Sequence, residues 1–268
     1  DKALEYKEKA LEIQIKSLGT EHPDVATSYN NLGSSYSDKG EYDKATDYYE
    51  KALEYDPEFY LAYFQLGVLE KKQGNSREAI RHLNKVLELK PDHDKTWFTL
   101  GTAYESDGEN DDAIVHYNKA IEINPGYSKA YGNLGKLHTE KQDFKLAEDI
   151  LKTVTQIDLN YADGFMLLGV LYIELEKYEL AVDNLAVATS LDEKDYYKYF
   201  NLASALNQTK QFDKAAKAAQ ASVDLKRTFG GGWLELGLAE LGRKNKTRAR
   251  KHFEEAKKDR AWREMAER

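Results

Sequence analysis

Apolar residues recur along this chain at helical spacing, and the spacing itself repeats. Leu-Gly stands at Leu32-Gly33, Leu66-Gly67, Leu100-Gly101, Leu134-Gly135, Leu168-Gly169 and Leu236-Gly237, with Leu202-Ala203 in the gap, so one step of thirty-four holds throughout. Twelve positions beyond each Gly or Ala comes an alanine: Ala45, Ala79, Ala113, Ala147, Ala181, Ala215 and Ala249. The prolines, Pro23, Pro57, Pro91 and Pro125, keep the same step. Numbering each repeat from 1 at residues 26, 60, 94, 128, 162, 196 and 230 puts an aromatic at position 4 every time: Tyr29, Tyr63, Trp97, Tyr131, Phe165, Tyr199 and Trp233. Positions 4, 7, 8 and 11 share one helical face, and positions 20, 24 and 27 share another. The pattern predicts two amphipathic helices per repeat, with Gly40, Gly74 and Gly108 at position 15 in the turn between them. No period-2 strand pattern stands out.

Small residues at positions 8 and 20 let the two helices of a repeat approach closely. One such pair cannot bury its apolar face alone, so the repeats must stack into a continuous core. The pattern resembles the tetratricopeptide repeat: aromatic at 4, Leu-Gly at 7–8, Tyr at 11 (Tyr36, Tyr104, Tyr172), Ala at 20, aromatic at 24 (Tyr49, Tyr117, Phe253), Ala at 27 (Ala52, Ala120, Ala188, Ala256) and Pro at 32. The resemblance implies an all-α, right-handed α-solenoid of helix-turn-helix units. A leading half repeat covers 1–25 and seven repeats cover 26–263. Over 246–268 the last repeat helix is expected to run into a basic capping helix. From Ala3 to Ala45 the step lengthens to forty-two, through Gly19-Thr20-Glu21-His22-Pro23-Asp24, which resembles the kinesin light chain type of this repeat. Departures gather late. The last three repeats lack the proline, and Gly230-Gly231-Gly232 is expected to form a loose inter-repeat turn, weakening the following helix by roughly 1 kcal/mol per glycine. An array that begins in mid-repeat reads as a piece of a longer protein.

Composition narrows the function. The chain has 268 residues, 39 Lys+Arg, 47 Asp+Glu, a net charge of −8 and no cysteine. Disulfides, thiolate zinc sites and cysteine nucleophiles are therefore excluded. An acidic balance argues against coating nucleic-acid phosphates. The longest nearly apolar run, Gly164 to Ile173, is half of the roughly 20 residues a membrane-spanning helix needs. No signal segment is visible, and the expected compartment is the cytoplasm. There is no phosphate-binding glycine loop and no nucleophile beside an evident base, so neither catalysis nor a cofactor is expected. His82 and His116 share position 23 one repeat apart, too far to share a metal, and His138 at position 11 is expected as a packed core imidazole.

The resemblance further implies that the first helices line a concave groove through positions 2, 5, 6, 9, 12 and 13. Position 6 reads Asn31, Gln65, Thr99, Asn133, Leu167, Asn201 and Glu235. Asparagines one repeat apart can hydrogen-bond an extended peptide backbone as both donor and acceptor, as the family does elsewhere. At position 5, Phe64 and Phe98 stand in neighbouring repeats and, with Leu61 and Val68, would form an apolar patch. Lys71, Lys72, Lys95, Lys129 and Lys136 face only Glu105 and Glu140 in repeats two to four, whereas repeats five to seven offer Asp163, Glu174 and Glu235 with no Lys or Arg. The expected role is a non-catalytic scaffold that binds a protein or peptide of acidic character, as an extended peptide or a helix. The family's carboxylate clamp for chaperone C-termini fits no register, because Phe64 and Val68, or Gly132 and Lys136, stand where it needs Lys and Asn. Two alternatives stay open: self-association through the array ends, giving a homo-oligomer, and an accessory domain of an enzyme whose catalytic part is absent. The segment from Gly242 to Arg268 carries eleven Lys/Arg and five acids. A cap is its expected role, ahead of contact with an acidic partner, a membrane surface or a second copy.

Overall fold

The computed structural model describes residues 2–18 and 22–267. Gly19, Thr20 and Glu21 of the long first junction lie outside the described residues, as do Asp1, Arg268 and the side chains of Ala3, Leu18 and Pro23. Among the described residues there are sixteen α-helices and no strand. The chain forms two compact units, Asp1–Pro125 and Gly126–Arg268.

The first unit contains α1 (Lys2–Leu18), α2 (Pro23–Asp38), α3 (Tyr42–Tyr55), α4 (Tyr60–Lys72), α5 (Ser76–Leu89), α6 (Asp94–Ser106) and α7 (Asn110–Ile123). Helices α2 and α3, α4 and α5, and α6 and α7 pack as hairpins, and α4 also touches the first helices on either side, α2 and α6. The second unit contains α8 (Ser128–Glu140), α9 (Phe144–Ile157), α10 (Ala162–Glu174), α11 (Tyr178–Leu191), α12 (Tyr196–Gln208), α13 (Phe212–Leu225), α14 (Gly230–Gly242), α15 (Lys246–Ala256) and α16 (Arg263–Glu267). It repeats the scheme: four hairpins, with α10 touching both α8 and α12, and α12 touching α14. The first helices from α4 to α14 begin at Tyr60, Asp94, Ser128, Ala162, Tyr196 and Gly230, in step with the sequence repeat.

Two backbone features produce this regularity. Position 15 adopts a left-handed conformation in every repeat: Gly40 (φ 79°), Gly74 (84°) and Gly108 (79°), then Gln142 (63°), Glu176 (55°), Lys210 (60°) and Lys244 (64°). The hairpin turn demands this conformation whether or not a glycine supplies it. At position 8 the missing side chain makes room for position 24 of the same hairpin. A Cβ on Gly33, Gly67, Gly101, Gly135 or Gly169 would fall 2.5–2.7 Å from Tyr49, Leu83, Tyr117, Leu151 or Leu185 respectively. The sixth repeat inverts the pair. Ala203 replaces glycine at position 8, and Ala219 replaces the large residue at position 24; both are fully buried. The position-20 alanines, from Ala45 to Ala249, are buried throughout.

The C-terminal end departs from expectation. No single helix runs from 246 to 268: α15 stops at Ala256, and the chain turns before α16 begins at Arg263. The Asp259 carboxylate accepts a hydrogen bond from the Gly230 N–H at 2.9 Å, which anchors the turn to the start of α14. Nor is Gly230-Gly231-Gly232 a loose turn. These glycines form the first turn of α14 and are all buried. A Cβ on Gly230 would fall 2.6 Å from the Asp259 Cβ, and one on Gly231 would fall 2.9 Å from the Trp262 ring. The glycines are the seat on which the C-terminal segment rests.

Candidate peptide-binding face

In the first unit, α2, α4 and α6 carry the expected face. Asn31 on α2 and Lys95 on α6 are exposed, while Phe64, Gln65, Lys71 and Phe98 are half-buried. Phe64 meets the His93 ring edge-on at 5.2 Å, and Phe98 lies tilted against Tyr117 at 5.7 Å. The Lys71 ammonium donates to the Thr102 hydroxyl at 2.7 Å and fastens α4 to α6. Burial pushes the Lys71 pKa down, while nearby Glu105 pulls it up by less. Thr99 is buried, and its hydroxyl donates to the Lys95 carbonyl one turn back at 2.7 Å.

In the second unit, Lys129 at the start of α8 is exposed, and Asn133 and Lys136 are half-buried. Lys136 lies 3.8 Å from Glu140. Asn201 is buried and donates to the Tyr197 carbonyl of its own helix at 2.9 Å. Position 6 therefore offers an exposed amide at Asn31, whereas at Thr99 and Asn201 the side-chain donor is held within the helix.

The acidic wall expected in repeats five to seven is reduced. Lys198 at position 3 of the sixth repeat is almost fully buried, and its ammonium lies 2.8 Å from Asp163, 3.2 Å from Asp192 and 2.7 Å from Asp195. Asp163 is thus paired with a lysine from the next repeat's first helix, which it shares with Asp192 and Asp195. Burial pushes the Lys198 pKa down, but the three carboxylates outweigh it and hold it above the usual lysine range. Glu235 is buried too: burial pushes its pKa up, opposed only by hydrogen bonds, among them one from the Asn207 amide at 2.8 Å. Glu174 stays exposed. The spacing of Asp195 and Lys198, one helical turn apart at a helix start, was the available signal for this cluster.

His82, His116 and His138 serve packing. His82 lies against Tyr63, and burial lowers its pKa. His116 sits between Trp97 and Tyr104. His138 is buried, with Nδ1 3.2 Å from Asp143. Among the described residues no group of three or more His, Cys, Asp or Glu is placed to hold a metal ion, and no helix is long and apolar enough to cross a membrane.

Hairpins that recur at a constant step, each pairing a first helix with a second and packing on the next hairpin of its unit, define a helical-repeat protein. Models of the tetratricopeptide repeat match residues 1–58, 37–104, 94–127, 116–149 and 166–228. The chain belongs to the tetratricopeptide repeat family. No curated protein matches it. Among solved structures it is similar to YrrB, described as a TPR protein with an unusual peptide-binding site, at 21% identity and a TM-score of 0.58, covering 69% of this chain and 95% of that one. A chain of the APC/C hetero-tetramer Cut9-Hcn1 aligns at 20% identity and a TM-score of 0.68, over 98% of this chain but 52% of its own length. A tetratricopeptide repeat protein from Parabacteroides merdae aligns at 17% identity and a TM-score of 0.66, over 91% of this chain and 99% of that one. At these identities the likeness is one of fold.

Proposed function

We propose that the chain is a non-catalytic interaction scaffold whose first helices bind a protein segment of acidic character. The observation that carries this is the α2–α4–α6 face of the first unit. There an exposed amide (Asn31), an exposed ammonium (Lys95) and half-buried Phe64, Gln65 and Phe98 stand on neighbouring first helices. Such a face offers backbone hydrogen bonding, apolar contact and positive charge together, which is what an extended acidic peptide needs. YrrB, which shares the fold, is described by a peptide-binding site. Lys129, Asn133, Lys136 and Asn201 extend the same helix positions in the second unit, with Asn201 contributing less because its amide is engaged. Capture of partners with the whole chain, followed by affinity measurement, tests the proposal. Asn31→Ala and Lys95→Glu should each weaken binding several-fold, through a hydrogen bond of about 0.5–1.5 kcal/mol and through charge reversal respectively. Lys51→Glu on α3 should not. Unchanged affinity in both first-helix variants would remove the interface from this face.

A further inference from the structure

The C-terminal segment makes a contact that a repeat end-cap does not require. The Trp262 ring stands edge-on to Phe200 at 5.2 Å and to Phe229 at 5.7 Å, and those two rings are themselves edge-on at 5.2 Å. Phe200 is position 5 of the sixth repeat and Gly231 is position 2 of the seventh, both on the face assigned to ligand. Tyr197, exposed at position 2 of the sixth repeat, lies 5.5 Å from Phe200 and forms the rim.

Earlier repeats fill the corresponding place from within. In the second repeat His93, at position 34, packs on Phe64 of that same repeat. Phe229 does the equivalent for Phe200 in the sixth. Trp262 goes further: it crosses the side-chain-free Gly231 and reaches the preceding repeat's Phe200. Lys258, Arg260, Ala261, Arg263, Glu264, Met265 and Glu267 are exposed. Asp259 to Gly230 ties the segment to α14, and ion pairs of Lys257 with Glu254 at 3.0 Å and Lys258 with Glu255 at 2.7 Å tie its start to α15.

We propose that Phe200, Phe229 and Gly231 form a binding seat for an aromatic side chain carried on a peptide of mixed charge, and that Lys257–Glu267, with four Lys or Arg against three acids around Trp262, is its resident ligand in cis. An arriving segment of the same chemistry must displace Trp262 first, so the segment gates this end of the face. The proposal rests on the assignment of positions 2 and 5 to the ligand face, but its seat lies in the second unit, apart from Asn31 and Lys95.

The probe is a fluorescein-labelled peptide with the sequence of Lys257–Glu267, titrated by anisotropy into the full chain. A tethered ligand competes at roughly millimolar effective concentration. Wild type should therefore bind the peptide at least about tenfold more weakly than Trp262→Ala, and adding Phe229→Ala to the latter should abolish binding. Equal affinity in wild type and Trp262→Ala, or binding indifferent to Phe229→Ala, would overturn the seat. Hydrogen exchange on the wild type serves should Trp262→Ala fail to fold. Amides of 257–267 exchanging about tenfold or more faster than those of α14 support an opening segment. Equal protection of the two would make it a fixed cap and end the proposal. Loss of partner binding on altering Asn31 or Lys95 bears on the first unit alone, so the two proposals fail separately.

Discussion

Gly101 and Tyr117 show at the residue scale how the hairpin closes. The ring lies where a Cβ would stand, so glycine and a large partner are one decision. Gly101→Ala should overpack the hairpin and cost about 1–3 kcal/mol by urea denaturation. The sixth repeat offers the converse test. Ala219→Leu alone should destabilise, because Ala203 occupies the space, and Ala203→Gly beside it should recover most of the loss. Position 15 separates sterics from packing, since a Cβ at Gly74 would meet nothing within 4 Å, yet φ is +84°. Gly74→Ala should cost about 1–2 kcal/mol from the left-handed conformation alone. Glu176→Gly, at φ 55°, should cost nothing and gain up to about 1 kcal/mol, offset in part by the freedom glycine adds to the unfolded chain.

Between elements, Lys198 joins α12 to α10 through Asp163 and to the preceding turn through Asp192 and Asp195. The lysine is 2% exposed while the aspartates are 30–53% exposed, so solvent screens one side of every pair. Lys198→Met should accordingly cost about 1–3 kcal/mol, between the limits for surface and buried pairs. Acidity provides a second readout. Burial pushes the Asp195 pKa up, but hydrogen bonds from Lys198 and the Tyr197 N–H outweigh it and hold the carboxyl below its usual value. A lowered carboxylate stabilises fully above its unfolded pKa, and this is lost as pH falls through the folded one. The gap in stability between wild type and Lys198→Met should therefore narrow below about pH 4, measured by thermal melts across the acid range.

Over the whole molecule, charge is unevenly shared. The Gly242–Arg268 segment is strongly basic in a chain of net −8, and exposed lysines such as Lys95 and Lys129 stand on first helices. If a partner is acidic, its association rate should fall steeply with salt, and Lys95→Glu should both lower the rate and flatten that dependence in stopped-flow measurements. Reversal of a second-helix lysine such as Lys119, which is already paired with Glu122 at 2.8 Å, should leave the rate nearly unchanged. Bulk attraction would instead make the two reversals equivalent.

The hairpins, their register and their turns were legible in the order of the residues alone. Within each unit a described hairpin packs on the next along the chain, so every packing requirement recurs one repeat further on, and Leu-Gly at 7–8 or Ala at 20 states it in one dimension. The first-helix positions of the candidate face were legible for the same reason. Which of those side chains are available was settled only by folding. Thr99 and Asn201 turn back to their own helix carbonyls, a choice between rotamers that a residue letter does not encode. Asp163 shares a lysine from the following repeat with Asp192 and Asp195, and Glu235 is sealed from water, so of the three acids that composition indicated Glu174 alone stays exposed without a part in these contacts. Gly230-Gly231-Gly232, flexible by propensity, became a rigid seat because Asp259 and Trp262 fold back onto it. Local periodicity carries repeated contacts; a contact made once, at the end of the chain, leaves no period to read.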